Sequence, residues 1–334
     1  MTVISFIVVF SVLVFIHELG HYLAAKLNGI VVYEFAVGMG PKLFSKQYGE
    51  TIYSLRALPI GGYVRMNEDE LESEDPRSFV NKKPWRRFTV IIAGPLMNFI
   101  LAVVLLTGAH SFTGVPTNVI GDVVENMPAA IAGFEAGDKI VEIEGVKTKS
   151  WEAVIREVGK YKDQKINITV VRDGAELDFA MAPVYDASQN KTMIGITTSV
   201  TKNIFVVTSY SVRLIGNVIQ NMVNYIGTLF VGKADLNQVA GIVGIAQMVG
   251  EATRNGILDI MFLAALLSIN LGIINLVPFP ALDGGRLVFI IFEMIFRRPV
   301  PKNLEAYVHL AGFVVLMGLM IMLFTRETTS LIFK

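Results

Sequence analysis

His17-Glu18-Leu19-Gly20-His21 closes an uncharged apolar run that starts with the chain itself. Residues 2–16 are mostly Val, Ile, Phe and Leu, the composition of a membrane-embedded segment. His and Glu are expensive in hydrocarbon and seldom sit there without a task. On a helix, His17 and His21 stand four residues apart and project from one face, the spacing of a two-histidine zinc site. Glu18 lies beside them, placed to take a proton from a water at the metal. The segment therefore implies metal-assisted hydrolysis within a membrane.

Working outward, the 334 residues are 53% hydrophobic, which points to several membrane spans and a smaller soluble part. Cysteine is absent, so disulfides and thiolate metal sites are excluded, and any zinc must use His and carboxylate ligands. A formal net charge of zero gives no support for nucleic-acid binding. The first run has no Lys or Arg before it, and signal cleavage near Ala24-Ala25 would discard the histidine pair, so it reads as a retained span.

Four uncharged stretches of about 20 residues each are long enough to cross a bilayer. They cover approximately 2–24, 88–109, 260–282 and 306–325. The link between the first two is basic (Lys42, Lys46, Arg56, Arg65, Lys82, Lys83, Arg86 and Arg87 among others), and the last link carries Arg286, Arg297, Arg298 and Lys302. The positive-inside rule puts both links in the cytoplasm, and hence the 112–258 region and both termini outside. Residues 203–232 are apolar but carry Arg213 and several amides. A fifth crossing there would place Asp283 on the face opposite the histidines, so the segment reads as amphipathic helix at the outer interface.

A catalytic zinc takes three protein ligands and keeps one position open. Of the other two histidines, His110 and His309, neither sits at the right depth in these spans, and position 27 is Leu, so a carboxylate must be the third ligand. Asp283 fits. It ends the third run in Asn275-Leu276-Val277-Pro278-Phe279-Pro280-Ala281-Leu282-Asp283-Gly284-Gly285, where two prolines break a helix and irregular backbone can line a cavity. The plainer alternative makes Asp283 a helix cap. Asn98, in the second run, reads either as a hydrogen-bonding partner of substrate or oxyanion, or as an interhelical link. Asn270 and Asn275 read as substrate contacts or as supports of the broken helix.

Val119–Val123, Lys139–Ile143 and Ile166–Val171 read as short strands, with a helix at Trp151–Gly159 between them. Pro128-Ala129-Ala130, followed by Ala132-Gly133-Phe134-Glu135-Ala136-Gly137-Asp138, resembles the signature of bacterial PDZ domains, which bind extended peptides at a sheet edge. A module here that only gates access sterically is the other reading. Val31–Val37, Thr51–Leu55 and Tyr63-Val64-Arg65-Met66 are β-prone, separated by turns at Gly38-Met39-Gly40-Pro41 and Gly61-Gly62.

Taken together, the HExxH segment, Leu58-Pro59-Ile60-Gly61-Gly62-Tyr63-Val64, Gly94-Pro95-Leu96-Met97-Asn98-Phe99, the PDZ-like signature and Asn270 through Gly285 resemble the site-2 protease family, in particular its bacterial branch that processes anti-sigma factors. The resemblance implies a polytopic α-helical membrane protein with four transmembrane helices, a membrane-associated β-hairpin region and one inserted α+β PDZ domain. It implies Zn2+ as cofactor, held by His17, His21 and Asp283 with Glu18 as general base. Asn98, Asn270, Asn275, Pro278, Pro280, Gly61, Gly62 and Tyr63 become substrate-binding candidates.

The expected divisions are 1–110 for the first two spans with a β region at about 31–66, 116–183 for the PDZ domain, 203–257 for interfacial helices and 258–334 for the last two spans. Expected partners are single-span membrane proteins such as anti-sigma factors or signal-peptide remnants, the lipid bilayer and a peptide at the PDZ domain. The active site would lie toward the cytoplasmic side of the cell membrane. A silent scaffold that presents a PDZ domain would have no use for Glu18. The chain departs from the family at Ile242, where proline is usual, and has one PDZ domain where well-known relatives have two.

Overall fold

A computed structural model describes residues 2–66, 75–187, 191–230 and 241–332. Contacts divide the chain into two compact units, one made of residues up to Ala109 and from Ser211 onward, the other of His110–Tyr210.

In the first unit, helices α1 (Thr2–Leu27), α2 (Pro84–Thr113), α7 (Ile257–Leu276) and α9 (Lys302–Ile332) form from the four apolar runs. Among the described residues, these four are long and apolar enough to cross a membrane. Small residues set their packing, as expected where close backbone approach replaces the hydrophobic drive. A Cβ on Gly20 would fall 2.3 Å from Ala93 O, and one on Gly272 would fall 3.2 Å from Pro95 O, so α1 and α7 both approach α2 closely. The outward sides keep large apolar residues exposed, such as Val8 and Val12 on α1, Val104 and Phe112 on α2, and Phe313, Val314 and Ile321 on α9.

The described part of the 203–232 segment is a helix, α5 (Ile204–Phe230), and is not among the four candidate spans. Its apolar stripe is occupied by protein. Ile215 packs with Ala102, Leu106, Ala265, Ile269 and Ile273, and Leu214, Val218, Met222 and Ile226 flank them. Residues 231–240 of the same expected segment lie outside the described residues. Helix α6 (Ile242–Asn255) follows. At the unusual Ile242, the Glu327 carboxylate of α9 caps its N-terminus, accepting from the N–H groups of Gly241 at 2.6 Å and Val243 at 3.1 Å.

Strands β1 (Glu34–Tyr48) and β2 (Thr51–Arg65) make an antiparallel pair. The glycine-rich stretches expected to be turns are bends inside continuous strands. Gly38, Gly40 and Gly61 have φ near +80°, which lets each strand fold over without ending. Glu34–Val37 therefore pairs on one side with Ile52–Leu55 and on the other with Gly62–Arg65. Gly62–Arg65 is left as a sheet edge among the described residues.

In the second unit, an antiparallel sheet runs in the order β10 (Ile196–Thr201), β3 (Val115–Val123), β4 (Lys139–Ile143), β6 (Ile166–Arg172), β7 (Ala175–Met181), with β5 (Val146–Lys147) pairing β4. The sheet takes in Ile196–Thr201, beyond the 116–183 expected from sequence. No simple alternation marks that strand, whose Thr-rich faces are only half covered. Val115 pairs with Thr201, so the chain enters and leaves this domain through neighbouring strands. Ile120, Phe134, Ile140, Ile143, Val154, Ile166, Ile168 and Val170 form its core, under α4 (Trp151–Val158). The PDZ-like signature has a structural reason. Gly133 ends α3 (Pro128–Ala132) at φ 91°, and Asp138, fully buried, accepts from Arg172 Nε and from its terminal amine, each at 2.7 Å. Those hydrogen bonds hold the Asp138 carboxyl below the usual carboxylate range against the opposing effect of burial.

Candidate metal centre

The sequence reading joined residues 17, 21 and 283, and the fold brings them together. The α1 helix puts His17 and His21 one turn apart, both buried. Helix α7 stops at Leu276, and α8 (Asp283–Phe296) begins at Asp283. The cap of α8 is Leu282, and no side chain caps it. The Asp283 carboxylate points elsewhere. Its Oδ2 lies 3.1 Å from His17 Nε2 and 3.3 Å from His21 Nε2, and the two Nε2 atoms are 3.2 Å apart. Ligands held at 2.0–2.2 Å around a tetrahedral zinc stand about 3.3 Å from each other. Among the described residues, this is the one His and carboxylate group that could hold a metal ion.

The surroundings test that fit. His21 Nδ1 donates to Val90 O at 2.8 Å, which turns the Nε2 lone pair toward the cluster. Asn98 is fully buried, with Nδ2 3.2 Å from His17 Nδ1 and Oδ1 left without a partner. Turning the amide over by half a turn leaves its shape unchanged, makes Oδ1 the acceptor of an Nδ1–H bond and moves the amide nitrogen to the unpartnered side. In that orientation His17 Nε2 is free to ligate. Both histidines therefore present Nε2, as a zinc site requires. Ser268 Oγ of α7 donates to Asn98 O at 2.8 Å, tying α2 to α7 beside the site.

Gly94 is the residue whose role was hardest to anticipate. A Cβ there would stand 2.4 Å from His21 Nε2 and 2.9 Å from His17 Cε1. In the sequence its only signal is the Gly94-Pro95-Leu96-Met97-Asn98 motif. Gly62 has a similar part, since its Cβ would lie 3.2 Å from Glu18 Cγ. The β2 edge thus passes Glu18.

The other candidates divide. Tyr63 turns to a polar cluster away from the metal ligands. It bonds to Arg56, which donates to Glu34 Oε1 at 2.8 Å, as do Ser54 at 2.6 Å and Lys42 at 3.3 Å. Burial raises the Glu34 carboxyl pKa, but these hydrogen bonds outweigh it and bring the group down to about 2. Gly61 bends the strand at φ 85° over Met39. Asn270 and Asn275 are half-buried on α7 and make no hydrogen bond to the cluster. Pro278 and Pro280 lie in the connection from α7 to α8. His110 stacks edge-on with Tyr210 at 5.3 Å in the other unit.

Apolar spans around two histidines and one carboxylate define a membrane-embedded metallopeptidase class. The family model described as Peptidase family M50 matches residues 5–319, and the chain belongs to that family, the site-2 proteases. Zinc metalloprotease RasP of Bacillus licheniformis is 33% identical over 405 residues, covering 96% of this chain and 97% of RasP. A relative from Clostridium acetobutylicum is 37% identical over 327 residues, covering 96% and 95% of the two chains. Among solved structures, the PDZ domain of an SdrC-like protein from Listeria monocytogenes matches at 25% identity and a TM-score of 0.22, covering 24% of this chain and 86% of that one. The chain is a zinc metalloprotease by family, and Zn2+ is its expected cofactor.

Proposed function

We propose that this chain is an intramembrane endopeptidase that cleaves the spans of single-pass membrane proteins, with His17, His21 and Asp283 as zinc ligands and Glu18 as general base. The observation that carries the reading is the meeting of Asp283 Oδ2 with both histidine Nε2 atoms, at 3.1 and 3.3 Å, on an apolar helix that also carries Glu18. Zinc bound there supplies Lewis acidity, polarising a peptide carbonyl and bringing a water pKa to about 7. Glu18 takes the proton of the attacking water and returns it to the leaving amine. Asn98 and Val90 hold the two imidazoles in the required tautomers.

A helical substrate hides its peptide bonds, so it must be extended before attack. Strand addition to the Gly62–Arg65 edge, next to Glu18, is the proposed means. The basic links support an active site toward the cytoplasm, with the His110–Tyr210 unit and both termini outside. That unit is read as a PDZ domain that screens substrates by the size of their outer parts, so substrates arrive already trimmed. Anti-sigma factors and signal-peptide remnants fit that description.

The test uses a model single-span substrate in detergent. Glu18→Gln is expected to keep full zinc content and to lose cleavage by a factor on the order of 10³ or more. A Glu18→Gln protein that cleaves normally sinks the assignment of the base.

A further inference from the structure

Between Leu276 and Asp283 the chain crosses six residues outside any helix. Ala281 has φ 74°, a region L side chains seldom occupy, so its surroundings must hold it there. The holding group comes from α9. The Ala281 N–H donates to His309 Nδ1 at 2.9 Å. One turn further along α9, Gly312 lies flat on Pro280, where a Cβ would come within 2.3 Å of Pro280 Cβ and 2.6 Å of its carbonyl oxygen. His309 itself is fixed. Its ring lies 5.7 Å from that of Phe289, and its Nε2 is buried, with Glu305 Oε1 the nearest acceptor at 4.0 Å.

The opposite side of the connection is equally tight. A Cβ on Gly284 would fall 2.1 Å from Val277 O, and one on Gly285 would fall 2.5 Å from Phe279 O. The loop is thus sandwiched between the first turn of α8 and the His309–Gly312 turn of α9. The grip falls on residues 280 and 281, three and two positions before Asp283. We infer that His309 and Gly312 are positioning residues that aim the Asp283 carboxylate at the histidine pair, making α9 part of the metal centre although it supplies no ligand. This inference rests on the reading of Asp283 as a metal ligand. A residue that merely packed α9 against the loop would affect folding but not the metal's ligand field.

The full chain in detergent provides the test, with zinc retention under graded chelator and the d–d absorption of the cobalt-substituted protein as readouts. His309→Leu removes the acceptor and is expected to weaken metal binding about tenfold or more and to alter the cobalt bands. His309→Asn, whose Oδ1 can accept the same N–H, is expected to recover most of both. Gly312→Ala is expected to shift the bands with His309 intact. Parental affinity and spectrum in both His309→Leu and Gly312→Ala overturn the inference. If His309→Leu does not fold, Gly312→Ala decides it alone, and parental affinity and spectrum in that variant overturn the inference. Asp283→Ala separates the two levels. If it loses the metal while the α9 variants keep theirs, only the positioning role fails; if it also binds metal normally, the ligand assignment falls and the inference with it.

Discussion

A side chain at residue 94 would occupy the space the two imidazoles need, and this makes Gly94 a sharp probe of the site. Gly94→Ala is expected to lower zinc affinity at least tenfold and to abolish cleavage, because the added methyl must displace the His21 ring. Gly216→Ala is the control. A Cβ there meets nothing within 4 Å, and replacing a helix-interior glycine should stabilise by about 0.5–1 kcal/mol. Zinc titration and thermal unfolding of the two variants check both expectations. The residues that carry chemistry were legible because a charged or imidazole group in an apolar run is already anomalous. Gly94 and His309 were not, since the need for a missing side chain, or for an acceptor opposite a strained alanine, exists only once distant elements have packed. From sequence His309 is only a histidine at the wrong depth for a ligand; its ring packs on Phe289, and its Nδ1 takes the Ala281 N–H.

The β1–β2 pair shows how an element can be found in sequence and its shape missed. The β-prone segments were correct, but the glycines between them act as bends, so one strand borders two partners. Turn chemistry and bend chemistry use the same residue, and only the register distinguishes them. Its free edge can be tested. Arg65 O accepts from Tyr33 N–H, so by the alternation of an antiparallel ladder the Val64 N–H faces away from β1. Val64→Pro removes that outward donor without touching the inner ladder. Cleavage of a helical substrate is expected to fall about tenfold at unchanged zinc content, with a pre-extended peptide less affected. Equal loss on both substrates would argue against strand addition. Helix α5 teaches a related lesson. Its amphipathic pattern is legible in the sequence, while the residues of α2 and α7 that pack against it come from distant stretches of the chain and are not.

Across the whole chain, the candidate ligands come from residues 17, 21 and 283, while the sheet domain is confined to the interval between α2 and α5. If that domain screens substrates, replacing residues 115–201 with a short flexible linker should leave zinc content unchanged and admit substrates with bulky outer parts. A reporter carrying a folded external domain, compared with a trimmed one, measures this; continued rejection of the untrimmed reporter counts against a size filter. The domain's existence was legible from its strand pattern and its Gly133–Asp138 signature, which the Asp138–Arg172 bond explains. Its last strand was not, because Ile196–Thr201 reaches the sheet only by returning beside Val115. That return has an evolutionary consequence. A doorway one strand pair wide makes the sheet domain a cassette, which recombination can exchange, double or trim while the helices on either side keep their spacing.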